Sequence, residues 1–255
     1  MKILLANDDG IQAKGIQVLY ERLIRDSENE IYVIAPDSNR SAVSHHITMG
    51  GNYVMKEYKK NQWAISGYPV DCSCLAITGD FFDFKFDLVI SGINEGANMG
   101  TDIIYSGTCG AARQAVLSGV PAIALSVDPE VWDEEHRKNM KYEALADFAA
   151  KNLKELASLA SVSVPRMFVN VNAASLDSYK GVKYCSDLCI REYGDRLHVD
   201  KGNGTMDVTF IPGGAFPKPA EKSDAHVVEQ GYIAISRVYA DPIAAEIVDG
   251  MQFKL

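Results

Sequence analysis

Asp8 and Asp9 are the residues with the clearest chemical potential in this chain. They follow a short apolar run, Ile3 to Ala6, in the opening stretch Met-Lys-Ile-Leu-Leu-Ala-Asn-Asp-Asp-Gly. An apolar run of that length ending in turn residues reads as a buried strand of an α/β sheet. Open parallel sheets hold ligands beyond the carboxyl ends of their strands. Two adjacent carboxylates at such a point suit a hard divalent cation, which selects oxygen ligands. The alternative involves no chemistry: Asp9 caps a helix from about Gln12, and Asp8 is solvated.

Two further loops end at the same kind of place. The first, Asp37-Ser38-Asn39-Arg40-Ser41-Ala42-Val43-Ser44-His45-His46, follows a predicted strand at Glu30 to Ala35. The second, Gly92 to Asp102, follows a predicted strand at Phe86 to Ser91 and leads into Ser106-Gly107-Thr108 at the start of a helix over Cys109 to Leu117. Connectivity brings all three loops to one edge of the sheet. Together they carry Asp8, Asp9, Ser41, Asn94, Asn98, Asp102, Ser106 and Thr108. Two carboxylates, a serine hydroxyl and an asparagine carbonyl make a partial shell for Mg²⁺ or Mn²⁺, with room for water and a phosphate oxygen. The Ser106-Gly107-Thr108 turn offers backbone N–H groups at a helix start, where anions bind. A cation next to an anion pocket points to phosphoryl chemistry. Singly, each residue has a plainer use. Ser41 serves a turn, Asn94 and Asn98 serve left-handed turns, and Ser106 or Thr108 caps a helix. Asp71 reads as a first-turn helix charge, Cys109 as a small buried helix residue, and Arg191 and Arg196 as solvated charges.

The elements that must position these groups follow from the pattern. Lys14 to Arg25 is a helix with Ile16, Leu19, Leu23 and Ile24 on one face. Ile47 to Lys56 and Gln62 to Ser66 read as strands, and Pro69 opens a helix to about Thr78. Ala122 to Val127 and Met167 to Val171 are further strands, with one long helical stretch, Asp133 to Leu159, between them. Beyond 175 only short strand-like segments occur (182–185, 196–199, 205–211), then a short helix opened by Ser223 and a strand at 232–238. The expected fold is α/β: a Rossmann-like, doubly wound, mainly parallel sheet over 1–174 and a β-rich extension over 175–255.

The chain has 255 residues, enough for a sizeable core, and a net charge of −9. That acidity argues against a nucleic-acid polymer as partner but allows a nucleotide, whose charge a metal ion would balance. No apolar run approaches the roughly 20 residues a membrane span needs, and no signal peptide opens the chain. Five cysteines without disulfide-scaffold density fit a cytoplasmic location. A dinucleotide-dependent oxidoreductase is disfavoured, because no GxGxxG follows the first strand.

The stretches ILLANDDGI, APDSNRSAVSHHIT, GYPVDCSCLA, SGINEGANMGTDIIYSGTCGAA and SDAHVVEQGYIAIS, in this order, resemble the SurE family, stationary-phase survival proteins that are metal-dependent 5′/3′-nucleotidases. The resemblance covers nearly the whole chain and is densest to about residue 127. It implies a Rossmann-like core and one divalent cation per subunit, Mg²⁺ or Mn²⁺. It implies a 5′-nucleotidase that hydrolyses nucleoside 5′-monophosphates, with 3′-monophosphates as further substrates. By motif position, Asp8, Asp9, Ser41 and Asn94 would hold the metal, and Asn98, Ser106, Gly107 and Thr108 would line the phosphate pocket, with Ser41 beside it. It also implies a homodimer or homotetramer built through the extension. Three departures stand out: Tyr68 where a small residue is usual, Gln114 where a Glu is common, and no His after His226 to act as a C-terminal general acid.

The expected chemistry is attack of water on a phosphomonoester. Asp8 and Asp9 fix the ion, Asp8 is also placed to orient or deprotonate the water, and Asn98 and Ser106 stabilise charge on the equatorial oxygens. A phosphatase or exopolyphosphatase with another preferred substrate would share fold and ion. A regulator that binds nucleotides without turnover would not need the metal ligands.

Overall fold

The computed structural model describes residues 1–242 apart from 130, 132, 203 and 219; the end of the expected extension, 243–255, lies outside the described residues. Strand β1 (Lys2–Ala6) is followed by helix α1 (Lys14–Leu23), β2 (Glu30–Pro36), β3 (Met55–Lys59), β4 (Gln62–Ile65) and α2 (Pro69–Thr78). Next come β5 (Leu88–Glu95), a 3₁₀ turn (Gly100–Ile104), α3 (Gly107–Leu117) and β6 (Ala122–Asp128). Three helices, α4 (Glu134–Lys138), α5 (Glu143–Lys151) and α6 (Leu153–Leu159), lead to β7 (Met167–Ala174). The rest is β8 (Val182–Tyr184), β9 (Ile190–Tyr193), β10 (Arg196–Lys201), β11 (Met206–Ile211), β12 (Ala215–Lys218), α7 (Asp224–Glu229) and β13 (Ile233–Tyr239).

A nine-stranded sheet runs in the order β3-β4-β2-β1-β5-β6-β7-β13-β8. The pairs from β4 to β7 are parallel; β3 and β13 join antiparallel. The central strands of the sheet are buried on both sides because both their faces meet helices. Ile3, Leu5, Val33, Ile90 and Leu125 pack with Ile16, Leu19 and Leu23 of α1 and with α5 and α6. Leu4, Ile34, Val89 and Ala124 pack with Cys72 and Ala76 of α2 and Cys109, Ala112 and Val116 of α3. Burying each such Leu, Ile or Val contributes roughly 1.5–3 kcal/mol. Strand order reverses between β1 and β5: the chain builds outward through β2 and β4, then returns to β5 on the other side. That makes the β1/β5 crevice the switch point of the sheet.

The doubly wound α/β expectation therefore holds, with local differences. The residues 47–54 are irregular and the strand starts at Met55, since Ile47, Met49 and Val54 stand in solvent and have no sheet face to cover. The stretch read as one helix is three, because Met140 and Tyr142 turn inward to the core between α4 and α5 and Asn152 breaks the run before α6. Strand β5 runs on through Glu95, so Asn94 is a strand residue paired with Ser126 rather than a loop residue. Residues beyond 174 go to two destinations. Strands β8 and β13 and helix α7 pack on the core, where Ala225, Val227, Val228 and Ala234 join Met99 and Cys189. Strands β10 and β11 pair only with each other, and β9 pairs with β12. Leu197, Val199, Met206, Val208 and Phe210 share one face of the β10–β11 ribbon and all are exposed.

Candidate metal and phosphate site

Asp8 and Asp9 leave β1 at the crevice beside β5. The turn that carries them is clamped by Asn7, whose amide donates to Gly10 O at 2.8 Å and whose Oδ1 accepts from Gly10 N–H at 3.2 Å. Helix α1 begins at Lys14 after Ala13, with no side-chain cap, so Asp9 is not a helix cap.

Asp8 is buried and tied to the start of α3. Thr108 Oγ1 donates to its Oδ1 at 2.5 Å and Thr108 N–H to its Oδ2 at 3.1 Å. Gly107 makes the approach possible: a Cβ there would stand 2.9 Å from Asp8 Cβ and 3.0 Å from Pro69 Cγ. Thr108 Oγ1 also lies 3.5 Å from Asn94 Oδ1. Its single proton goes to the nearer Asp8, which leaves the Asn94 oxygen with open lone pairs. The Asn94 amide itself is held by a bond to Gly96 O at 2.8 Å.

Asp9 accepts from Glu95 N–H at 3.0 Å and from the Asn39 amide at 3.5 Å. The Glu95 carboxylate pairs with Arg137 at 2.5 Å, so a cation on α4 stands behind Asp9. Burial pushes the Asp8 carboxyl up. Burial, and then the charge of Asp8, push Asp9 up to about 8. Two desolvated carboxylates repelling each other form a site that a cation would complete.

The remaining expected residues gather around this pair with different roles. Ser41 is exposed, but its loop is fixed to the site by a 2.6 Å bond from Arg40 N–H to Asp8 O. Asn98 is buried, and its N–H donates to Asn172 Oδ1 at 2.8 Å. Its carbonyl accepts from Asn170 and Asn172, and its side-chain amide donates to Ser126 Oγ at 2.8 Å. Ser106 caps α3, with Oγ accepting from Cys109 N–H at 3.0 Å, and keeps its hydroxyl proton as a donor. Thr108, expected to line the pocket, is fully buried with its hydroxyl on Asp8. Cys109 is buried as expected.

Several contributors escape sequence reasoning. Asn170 and Asn172 anchor Asn98 from β7; their signal was two asparagines at alternate positions of an otherwise apolar strand, since buried polar groups need partners. Arg191 is not a solvated charge: it pairs with Asp102 at 2.7 Å, and Tyr193 OH donates to the same Asp102 oxygen at 2.7 Å. Asp102 burial raises its carboxyl pKa, and Arg191 opposes that. Asp224 accepts from Gly100 N–H at 2.7 Å and from Cys189 N–H at 2.9 Å, which locks the 3₁₀ turn to the later segment. Gly100 is required there: its φ is +56°, and a Cβ would stand 1.8 Å from Cys189 O.

The donor set fits a divalent cation: carboxylate oxygens, an amide oxygen and a hydroxyl, with no softer ligand. Among the described residues no three His, Cys, Asp or Glu side chains gather as a metal site, so an ion here would combine two carboxylates with neutral oxygens. The N-terminus of α3 is turned to the Asp8 carboxylate, which accepts from Thr108 N–H there.

Fold and site together define a class, open-sheet α/β proteins with adjacent carboxylates and a helix start at the switch point. The profile described as Survival protein SurE matches residues 3–194. The chain belongs to the SurE family. The 5′-nucleotidase SurE of Treponema pallidum (strain Nichols) is 44% identical over 185 residues, covering 72% of this chain and 96% of that protein. The 5′-nucleotidase SurE of Polaromonas naphthalenivorans (strain CJ2) is 38% identical over 244 residues, covering 94% and 92%. The crystal structure of the SurE protein from Aquifex aeolicus superposes with a TM-score of 0.76 at 30% identity, covering 95% of this chain and 94% of that one.

Proposed function

We propose that the chain hydrolyses nucleoside 5′-monophosphates, and 3′-monophosphates as further substrates, to nucleoside and phosphate with one Mg²⁺ or Mn²⁺ per subunit. The observation that carries this is the Asp8–Thr108–Gly107 arrangement, which sets the first of two adjacent desolvated carboxylates against the start of α3 at the sheet's switch point. The names of the relatives above place the chain among enzymes of the 5′-nucleotidase type.

Asp8, Asp9, Asn94 and Ser41 would hold the cation. A divalent ion there supplies charge to polarise phosphoryl oxygens and to acidify water. Thr108 fixes the Asp8 carboxylate through both oxygens, its hydroxyl donating to Oδ1 and its N–H to Oδ2. Ser106 donates its hydroxyl proton, and Asn98 its remaining amide N–H, to equatorial phosphate oxygens. These donors are set in advance by Cys109, Ser126, Asn170 and Asn172, so little reorganisation accompanies reaction. Asp8 is the candidate to orient or deprotonate the attacking water.

We further propose that the segment from 175 onward serves assembly into a homodimer or homotetramer, with the apolar ribbon face covered by another subunit. All five cysteines are free, which fits a cytoplasmic setting. No helix among the described residues is long and apolar enough to cross a membrane.

Phosphate release is the test. A panel of 5′- and 3′-nucleoside monophosphates, ribose 5-phosphate and polyphosphate is assayed with Mg²⁺, Mn²⁺ or EDTA. The expected result is metal-dependent release, fastest from nucleoside 5′-monophosphates. Faster release from polyphosphate, or nucleotide binding without release under any cation, would overturn the assignment.

A further inference from the structure

We propose that the rings of Tyr68 and His46, with Arg40 against them, form a shelf on which the nucleobase of the substrate stacks, and that the shelf favours purines over pyrimidines. The inference rests on the nucleotidase reading and adds to it a base-recognition subsite.

The two rings lie 4.0 Å apart between centroids, tilted by 55°. The Arg40 guanidinium carbon is 5.7 Å from the Tyr68 ring centre. His46 is exposed and Tyr68 half-buried, so the stack keeps an open surface. Two rings and a cation left at the surface bury little area; their arrangement does more for a planar ligand than for the core.

The shelf is held firmly. Asp71 accepts from Tyr68 N–H at 2.8 Å, from Thr48 N–H at 2.9 Å and from Thr48 Oγ1 at 2.7 Å, which ties the far end of the loop to α2. Ser44 N–H donates to Tyr105 O at 2.8 Å and Ser44 Oγ to Ile104 O at 2.7 Å. Arg40 N–H is on Asp8 O. The loop carrying His46 is thus pinned at 40, 44 and 48. Ala42 and Ser44 sit at φ 58° and 57°, a region non-glycine residues rarely adopt, so the loop follows one defined path.

The shelf also lies in the right place. Pro69, next to Tyr68, and Asp8 both border the point where a Gly107 side chain would be, at 3.0 and 2.9 Å. The helix start that carries Tyr68 therefore adjoins the Asp8 turn. Arg40 has a donor group to offer: its Nη2 contacts with Asp37 and the Ser66 carbonyl are long, at 3.4 Å. Guanidinium donors match the N7 acceptor that both purines present, and on guanine the O6 beside it. Aromatic stacking rewards the larger ring system.

The test compares wild type with Tyr68→Ala, Tyr68→Phe and His46→Ala on AMP, GMP, CMP, UMP and ribose 5-phosphate, which has no base. The wild type is expected to show lower KM for AMP and GMP than for CMP and UMP. In Tyr68→Ala and His46→Ala the ratio of kcat/KM for AMP over ribose 5-phosphate falls about 10-fold, through KM. Tyr68→Phe, which keeps the ring, retains the wild-type ratio. An unchanged ratio in Tyr68→Ala, or no purine preference in the wild type, overturns the shelf. Should no nucleotide yield phosphate, the nucleotidase reading fails separately, and calorimetric binding decides. AMP binding more tightly than ribose 5-phosphate to wild type but not to Tyr68→Ala supports the shelf, and equal binding to wild type overturns it.

Discussion

At the β1/β5 crevice the chain buries polar groups, and on the β10–β11 ribbon it exposes apolar ones. Asp8, Asn94, Asn98, Ser106 and Thr108 are nearly closed off from solvent, yet each has a named partner. Leu197 and Val208, facing the same side of the ribbon, are 66% and 60% exposed. Both departures run against the usual sorting of residues by polarity, and both carry a thermodynamic cost when left as they are. In the proposed reading an ion and a phosphate offset the first, and the surface of another subunit offsets the second. The difference lies in what completes each region: fixed dipoles define a small ligand's position, whereas an apolar stripe specifies area and shape.

The contrast breaks most sharply at Asp9. Asp9→Asn should lower metal-dependent kcat/KM by more than the roughly 10²–10³-fold that loss of one oxyanion donor costs, with the circular-dichroism spectrum unchanged; near-wild-type turnover would remove Asp9 from the site. Thr108→Val keeps the shape but removes the hydroxyl from Asp8. A buried hydrogen bond to a charged group contributes about 1.5–3 kcal/mol, so steady-state kinetics should show roughly a 10–100-fold loss. If Thr108→Val matched wild type, preorganisation of Asp8 would not matter.

The ribbon should respond differently. Val208→Asp with Phe210→Asp should weaken self-association by about 30-fold, the effect of losing an interface hot spot of roughly 2 kcal/mol. Sedimentation at several concentrations reads this out, and the melting point of the dissociated subunit should stay put. An unchanged mass distribution would leave the ribbon without a role in assembly. The smallest effect concerns Arg166 and Asp241, which fasten the end of β13 through a 2.5 Å ion pair. Arg166 holds the Asp241 carboxyl below its usual value. A depressed carboxylate contributes stability above its unfolded pKa and loses it as pH falls through the folded one. Asp241→Asn should therefore melt slightly below wild type at neutral pH, with the gap closing in acid; a gap constant with pH would point to packing instead.

How much could be read in advance follows the same division. Strands β1, β2, β5 and β6 are legible because burial on both faces demands continuous apolar runs, and the loops after them inherit their position from topology. Asp8 and Asp9 gain meaning from where β1 ends. Thr108 was legible as a residue near the phosphate but not as the partner of Asp8, since that contact spans a hundred residues and depends on Gly107. Arg191 looked like a surface charge because nothing local shows that Asp102 and Tyr193 come to it. Ile47, Met49 and Val54 imitate a strand by composition, although the loop is organised by Asp71 and by Asp8 O instead.

Strand β13 sits between β7 and β8, although its sequence comes at the far end of the described chain. During synthesis β7 emerges first and keeps an open edge until β13 follows, roughly 65 residues later. At the usual roughly 5–20 residues per second, that interval lasts about 3–13 s. Strand β7 carries Asn170 and Asn172, the anchors of Asn98, and β13 pairs with both positions through Ser236 and Ala234. A nascent chain can therefore hold Asp8 and Asp9 in their turn well before it fixes Asn98. If Asn98 serves the phosphate as proposed, that service begins late in translation, with the arrival of β13, the last strand among the described residues.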